Sequence, residues 1–64
     1  MLLNGQPYEL DRARPLAEVL TLRGYDLARV AVLLNQRVAP RNQLSQIEVQ
    51  NEDTLEVVAF VGGG

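Results

Sequence analysis

Thr54-Leu55-Glu56-Val57-Val58-Ala59-Phe60 decides how this chain is read, and Val61-Gly62-Gly63-Gly64 follows it without a break. The seven residues are rich in β-branched and aromatic side chains and contain no Gly or Pro, the pattern of a well-packed strand. Alternation puts Leu55, Val57 and Ala59 on one face, and Thr54, Glu56, Val58 and Phe60 on the other. Three glycines then bring no side chain to any core. Fully extended, the last four residues reach at most about 13–14 Å beyond the strand, far enough to enter a narrow active site on another protein. The sequence therefore predicts a folded domain over residues 1–60 and a slim, flexible tail over residues 61–64. Glycines at a chain end also read as simple fraying, so the rest of the chain has to decide.

Moving back from that strand, Asn51-Glu52-Asp53 reads as its entry turn. Ile47-Glu48-Val49 reads as a brief edge strand, and Asn42 to Gln46 as a short helical turn or loop. Val38-Ala39-Pro40-Arg41 is extended, because residues before proline avoid helical angles. Asn35-Gln36 turns the chain after Val30-Ala31-Val32-Leu33-Leu34, whose near-continuous apolar character marks a central strand. Before it, Leu16, Val19 and Leu20 fall at the spacing of one helical stripe. Pro15 sits at the favoured first helical position, Glu18 suits the positive end of the helix dipole, and Gly24 signals the C-terminal cap. These signals predict one helix near residues 15–23. At the start of the chain, Met1-Leu2-Leu3 and Pro7-Tyr8-Glu9-Leu10 flank Asn4-Gly5, a hairpin turn.

The order is then hairpin, helix, strand, short edge strand, strand. One helix crossing a mixed sheet of four or five strands, with the first and last strands parallel at its centre, is an α+β arrangement of the β-grasp (ubiquitin-like) type. The expected core is Leu16, Val19, Leu20, Val32, Leu34, Leu55 and Val57.

Composition narrows the function classes. At 64 residues the chain is a single domain with a small core. It has no Cys or His, and all its basic residues are Arg. A thiolate or imidazole nucleophile, a His base and a Schiff-base Lys are therefore all missing, and the acids show no metal-ligand spacing. Catalytic residues: none; metal ligands: none; bound cofactors: none. A net charge of −2 and a pI near 4.8, with no basic cluster, argue against a nucleic-acid partner. No apolar run reaches membrane-spanning length and no signal-peptide layout opens the chain, so the expectation is a cytoplasmic protein that is monomeric when free.

Two stretches carry a resemblance. Asp53 to Gly64 resembles the C-terminus of the ThiS family, the sulfur carriers of thiamine biosynthesis. Val32-Leu33-Leu34-Asn35-Gln36-Arg37-Val38-Ala39-Pro40-Arg41 is similar to that family's strand–turn–VxPR stretch, and the length agrees throughout. Ala39 and Arg14-Pro15 depart from the pattern, away from the terminal carboxylate. The resemblance implies that an adenylating, ubiquitin-activating-like enzyme uses ATP and magnesium to activate the Gly64 carboxylate. A cysteine persulfide donor system then supplies sulfur to form a thiocarboxylate, and thiazole synthase takes up that sulfur. The chemistry is consistent: a terminal carboxylate, with a pKa of about 3.3–3.7, is an anion and a poor electrophile until adenylated. On this resemblance Gly64 is the expected sulfur-accepting residue, with Val61, Gly62 and Gly63 giving it access. Two alternatives stay open: the small subunit of molybdopterin synthase, and a ubiquitin-like interaction or modifier module without sulfur chemistry.

A partner must also grip the folded part. With Leu55 and Val57 against the helix, Val58 and Phe60 fall on the open sheet face, where Leu33 of the neighbouring strand joins them as an expected docking patch. Arg37 and Arg41 are candidates to frame it, although solvated arginine is the commoner reading.

Overall fold

A computed structural model of the chain describes residues 1–60. Val61, Gly62, Gly63 and Gly64, on which the expected tail and its reacting carboxylate fall, lie outside the described residues.

Among the described residues seven short strands and one α-helix follow in order: β1 (Leu2–Leu3), β2 (Gln6–Pro7), β3 (Arg14–Pro15), α1 (Leu16–Leu22), β4 (Val30–Leu34), β5 (Arg37–Val38), β6 (Glu48–Val49) and β7 (Thr54–Ala59). Five of the strands form a mixed sheet in the order β2-β1-β7-β4-β5. β1 runs parallel to β7, with Leu2 opposite Thr54 and Leu3 opposite Leu55, while β4 runs antiparallel on the other side. β7 thus occupies the middle of a β-grasp sheet, as its composition predicts. Parallel β1 and β7 need a long connection, and the helix and strands between them supply it.

Both hairpin turns are of the left-handed kind. Asn4 and Gly5 take φ of 51° and 79°, and Asn35 and Gln36 take 52° and 70°. Each turn asparagine also continues the ladder onto β7. The Asn4 amide donates to the Leu55 carbonyl at 2.8 Å, and the Val57 amide donates to Asn4 Oδ1 at 2.7 Å. On the other side, the Asn35 amide donates to the Thr54 carbonyl at 2.8 Å and the Thr54 amide to Asn35 Oδ1 at 2.9 Å.

The helix lies across one face of the sheet. Leu16, Val19 and Leu20 are fully buried, as the stripe requires, together with Leu55 and Val49. A two-turn helix is unstable alone, so this apolar contact holds it. Gly24 (φ 85°) ends it: the Gly24 amide donates to the Thr21 carbonyl and the Tyr25 amide to that of Leu20, a Schellman closure.

Expectations need correction at three places. Pro15 is not the first helical residue but the residue before it, with an extended ψ of 139°. It pairs with Glu48, as Arg14 does with Val49, so the expected edge strand at residues 47–49 joins a separate two-stranded ladder and not the main sheet. The reason lies in the helix start. It lacks a side-chain cap, and the Leu16 and Ala17 amides donate instead to the carbonyls of Ile47 and Leu44 at 2.7 and 2.9 Å. Those bonds satisfy two of the orphan donors every helix start presents, and they hold residues 44–47 over the helix so that β6 lands beside β3. Second, Leu34 is half-buried and packs against the edge of the core; it closes β4 beside the turn, opposite Arg37. Third, the return strand of the first hairpin is Gln6–Pro7, shorter than Pro7 to Leu10. Asn51 holds the following segment instead, accepting from the Leu10 amide and donating to the Leu10 carbonyl, each at 2.8 Å.

Candidate docking face and tail root

The face of the sheet away from the helix is fixed by register. Leu55 and Val57 are buried, so Thr54, Glu56 and Val58 must point the other way. Pairing carries that face across the sheet: Ala31 stands opposite Val58, Leu33 opposite Glu56, Val38 opposite Leu33, and Leu2 opposite Thr54. Val58 is 57% exposed and Phe60 55%, as the strand parity predicts. Leu33 lies on this face but is half-buried between its neighbours. Leu2 (44%) and Val38 (74%) extend the patch on both sides. Four of the five exposed large apolar side chains of the described residues thus fall on one face or at its end; the fifth, Leu22, is on the helix. Glu56 is the acidic member of the face.

Val38 was legible in principle. A two-residue turn at Asn35-Gln36 fixes the register of its hairpin and so puts Val38 across from Leu33. Leu2 follows only once the parallel pairing with β7 is known.

β7 ends at the edge of this patch. The Phe60 amide donates to the Arg29 carbonyl at 2.7 Å, the last main-chain bond before residue 61. Arg29 closes a 3-10 turn (Leu27–Arg29) capped by Asp26, whose carboxylate accepts from the Ala28 amide at 3.0 Å and lies 3.5 Å from Arg29 Nε. Arg41 sits at the same end and donates from Nη2 to the Val30 carbonyl at 3.2 Å. Arg37, by contrast, stands opposite Leu34, so it has the parity opposite to that of Val38 and Leu33.

The other charged cluster belongs to the fold. Arg14 donates to Asp11 at 3.0 Å and also to Glu18, bracing the start of the helix. These bonds hold the Asp11 carboxyl below its usual range and push the Arg14 guanidinium up. Among the described residues no group of three or more acidic, His or Cys side chains could hold a metal ion, and no helix is long and apolar enough to cross a membrane.

A mixed sheet gripping one helix, with a central last strand that leads off the edge of an apolar open face, defines a ubiquitin-like β-grasp domain. Comparison with known proteins gives the family. Residues 1–64 match the ThiS family model, and the chain belongs to the ThiS family. It is 39% identical over 62 residues to the sulfur carrier protein ThiS of Thermus thermophilus, covering 97% of this chain and 95% of that one. A crystal structure of the thiamine biosynthesis protein ThiS from Geobacter metallireducens superposes with a TM-score of 0.81 at 30% identity, covering 98% of this chain and 96% of that one. The whole chain is also 33% identical over 64 residues to a thiazole synthase of Paramagnetospirillum magneticum, of which it spans only 20%.

Proposed function

We propose that this chain is a sulfur carrier of thiamine biosynthesis whose Gly64 carboxylate is adenylated and then converted to a thiocarboxylate. The observation that carries the reading is the family match over residues 1–64 in a sequence whose central strand runs on into three glycines. The chain's part is that of a substrate. Lacking Cys, His and Lys, it leaves adenylation, with ATP and magnesium, to a ubiquitin-activating-like enzyme, and sulfur supply to a cysteine persulfide donor. In the first step the carboxylate oxygen attacks the α-phosphorus of ATP and pyrophosphate leaves. The persulfide's terminal sulfur then displaces AMP, and reductive cleavage of the S–S bond by a thiol leaves the thiocarboxylate. Thiazole synthase is the acceptor. A relative in which a segment similar to this chain is part of a thiazole synthase supports that pairing.

The folded part, residues 1–60, presents the tail of residues 61–64. Leu33, Val58 and Phe60, widened by Leu2 and Val38, form the face that docks on the activating enzyme. Val61, Gly62 and Gly63 carry the carboxylate into that enzyme's site, where the absence of side chains at the glycines allows passage. Intact mass after incubation with ATP, activating enzyme and a persulfide source tests the reading. The protein should gain the mass difference between one sulfur and one oxygen, assigned by fragmentation to Gly64. No gain, or modification elsewhere, would overturn it.

A further inference from the structure

We propose that Asn4 is a site of spontaneous deamidation, and that its bonds to the central strand and to Tyr25 hold the reaction back in the folded protein. This role rests on the fold alone and not on the carrier reading above. Asn4 is followed by Gly5, and no other asparagine of the chain precedes a glycine. The chemistry joins an asparagine to the amide nitrogen of the next residue. That nitrogen attacks Cγ, a five-membered succinimide closes, and the side-chain nitrogen leaves as ammonia with the amide proton. Water then opens the ring at either carbonyl, giving aspartate or isoaspartate. Glycine favours the attack because it has no side chain to crowd the nitrogen. A Cβ built on Gly5 would meet nothing within 4 Å, so no other part of the fold crowds it either.

The folded turn opposes ring closure in two ways. The ring forms only when the Gly5 nitrogen swings round to eclipse Cβ of Asn4. In the left-handed region that Asn4 occupies (φ 51°), ψ is about +47° and the following nitrogen lies on the far side from Cβ. The side chain is also held at both ends. The Val57 amide can only donate, so the atom that it meets at 2.7 Å is Oδ1. Nδ2 donates in turn to the Tyr25 hydroxyl at 3.2 Å. Asn35 is clasped in the same manner, with Oδ1 accepting from the Thr54 amide at 2.9 Å and Nδ2 donating to Asp53 at 3.0 Å. Its φ is 52°, but Gln36 follows it. Two matching turns thus differ in the residue that supplies the nucleophile, and that difference singles out Asn4.

The two products leave different amounts of the clasp. Aspartate keeps an acceptor for the Val57 amide, and the Tyr25 hydroxyl can donate to its carboxylate instead of accepting. Isoaspartate carries the old side-chain methylene in the main chain, which lengthens a two-residue turn by one atom. Such a turn fixes the register of its hairpin, here Leu3 opposite Gln6. The extra atom breaks that register and takes the acceptor away from Val57. The damage therefore reaches β7, the central strand, from a turn at its edge.

The test ages the parent, Tyr25→Phe and Gln36→Gly proteins at mildly alkaline pH, both folded and in urea, and locates deamidation by peptide mapping. Unfolded parent should react first at Asn4. Folded parent should react there about thirtyfold more slowly, the factor expected from two hydrogen bonds. Tyr25→Phe keeps the ring and removes one of those bonds, so its folded form should react about fivefold faster than folded parent. Gln36→Gly, which creates a second Asn-Gly pair, should react in urea at Asn35 as fast as at Asn4. In the isoaspartate form, separated by chromatography, the Val57 amide should exchange hydrogen faster than in the parent, while Asn4→Asp should keep it protected. Reaction in urea at Asn35, Asn42 or Asn51 of the parent ahead of Asn4 would overturn the site. Equal rates for folded and unfolded parent, or for Tyr25→Phe and folded parent, would overturn the protection.

Discussion

The Val57 amide donates to Asn4 Oδ1 across 53 residues of chain, at 2.7 Å. Asn35 does the same for Thr54 from the opposite side at 2.9 Å. The two hairpin turns therefore act as clasps on the central strand. In each, a left-handed asparagine both bends its own hairpin and extends the ladder by a side chain. Asn35→Gly keeps the backbone angle and loses the clasp, whereas Asn35→Ala loses both. The alanine variant should be the less stable of the two by about 1 kcal/mol, with the parent above each. Urea denaturation of the three proteins measures this; equal midpoints for the Gly and Ala variants would mean that the φ of 52° carries no strain.

Gln36 offers the opposite sign. It holds φ of 70° without the freedom of glycine, whereas the corresponding position of the first hairpin is Gly5 at 79°. Gln36→Gly makes the second turn match the first in sequence as well as in angle. Relief of the left-handed penalty, less the extra backbone entropy, should stabilise the fold by about 0.5–1 kcal/mol. A lower thermal midpoint for this variant would contradict the account of both turns.

Much of this fold is written in periodicity. Leu16, Val19 and Leu20 announce the buried side of the helix, and Leu55 and Val57 the inward side of β7, because both elements are long enough to repeat. β3 and β6 are two residues each, too short for any period, and their pairing depends on the Leu16 and Ala17 amides finding carbonyls at Ile47 and Leu44. That partner choice is tertiary and leaves no local mark. The same holds for the proposed docking face. Val58 and Phe60 follow from one strand's alternation, while Leu2 requires the register of a parallel partner from the far end of the chain. Arg41 was visible as a residue after proline, but its bond to Val30 was not.

The two faces of β7 should respond differently to substitution. Leu55 is fully buried, and Leu55→Ala should cost about 2–5 kcal/mol, a large part of the stability of so small a domain. A thermal midpoint unchanged in that variant would remove the strand parity on which the whole face rests.

Val58→Asp, Phe60→Asp and Val38→Asp should each melt close to the parent, because all three side chains are already more than half exposed. Binding to the activating enzyme should weaken in each, since a charge buried unpaired within an interface is costly. Leu22→Asp is the control: Leu22 is 63% exposed, but on the helix, and its variant should bind like the parent. Calorimetric titration measures all four. Parent-like affinity in the first three would place docking elsewhere on the molecule.

The tail should be read by length as well as by chemistry. One alanine added after Gly64 carries the reacting carbon about 3.5 Å further and puts a methyl group into a slot shaped for glycine. Gly63→Val fails for another reason: a β-branched residue is stiff at χ1 and excludes the left-handed angles that glycine permits. Neither change touches the core at Leu16, Leu20 or Leu55, so both proteins should melt like the parent. Sulfur incorporation, followed by intact mass against time, should fall on the order of 10²-fold in each. Binding, by contrast, should be spared. Both keep Val58, Phe60 and Val38, so both should compete with the parent for the activating enzyme while remaining unmodified. A tail variant that neither binds nor reacts would show that the glycines contribute to docking. An alanine-extended protein that takes up sulfur as fast as the parent would show that length is not read, and would overturn this account of why the central strand runs on into glycine.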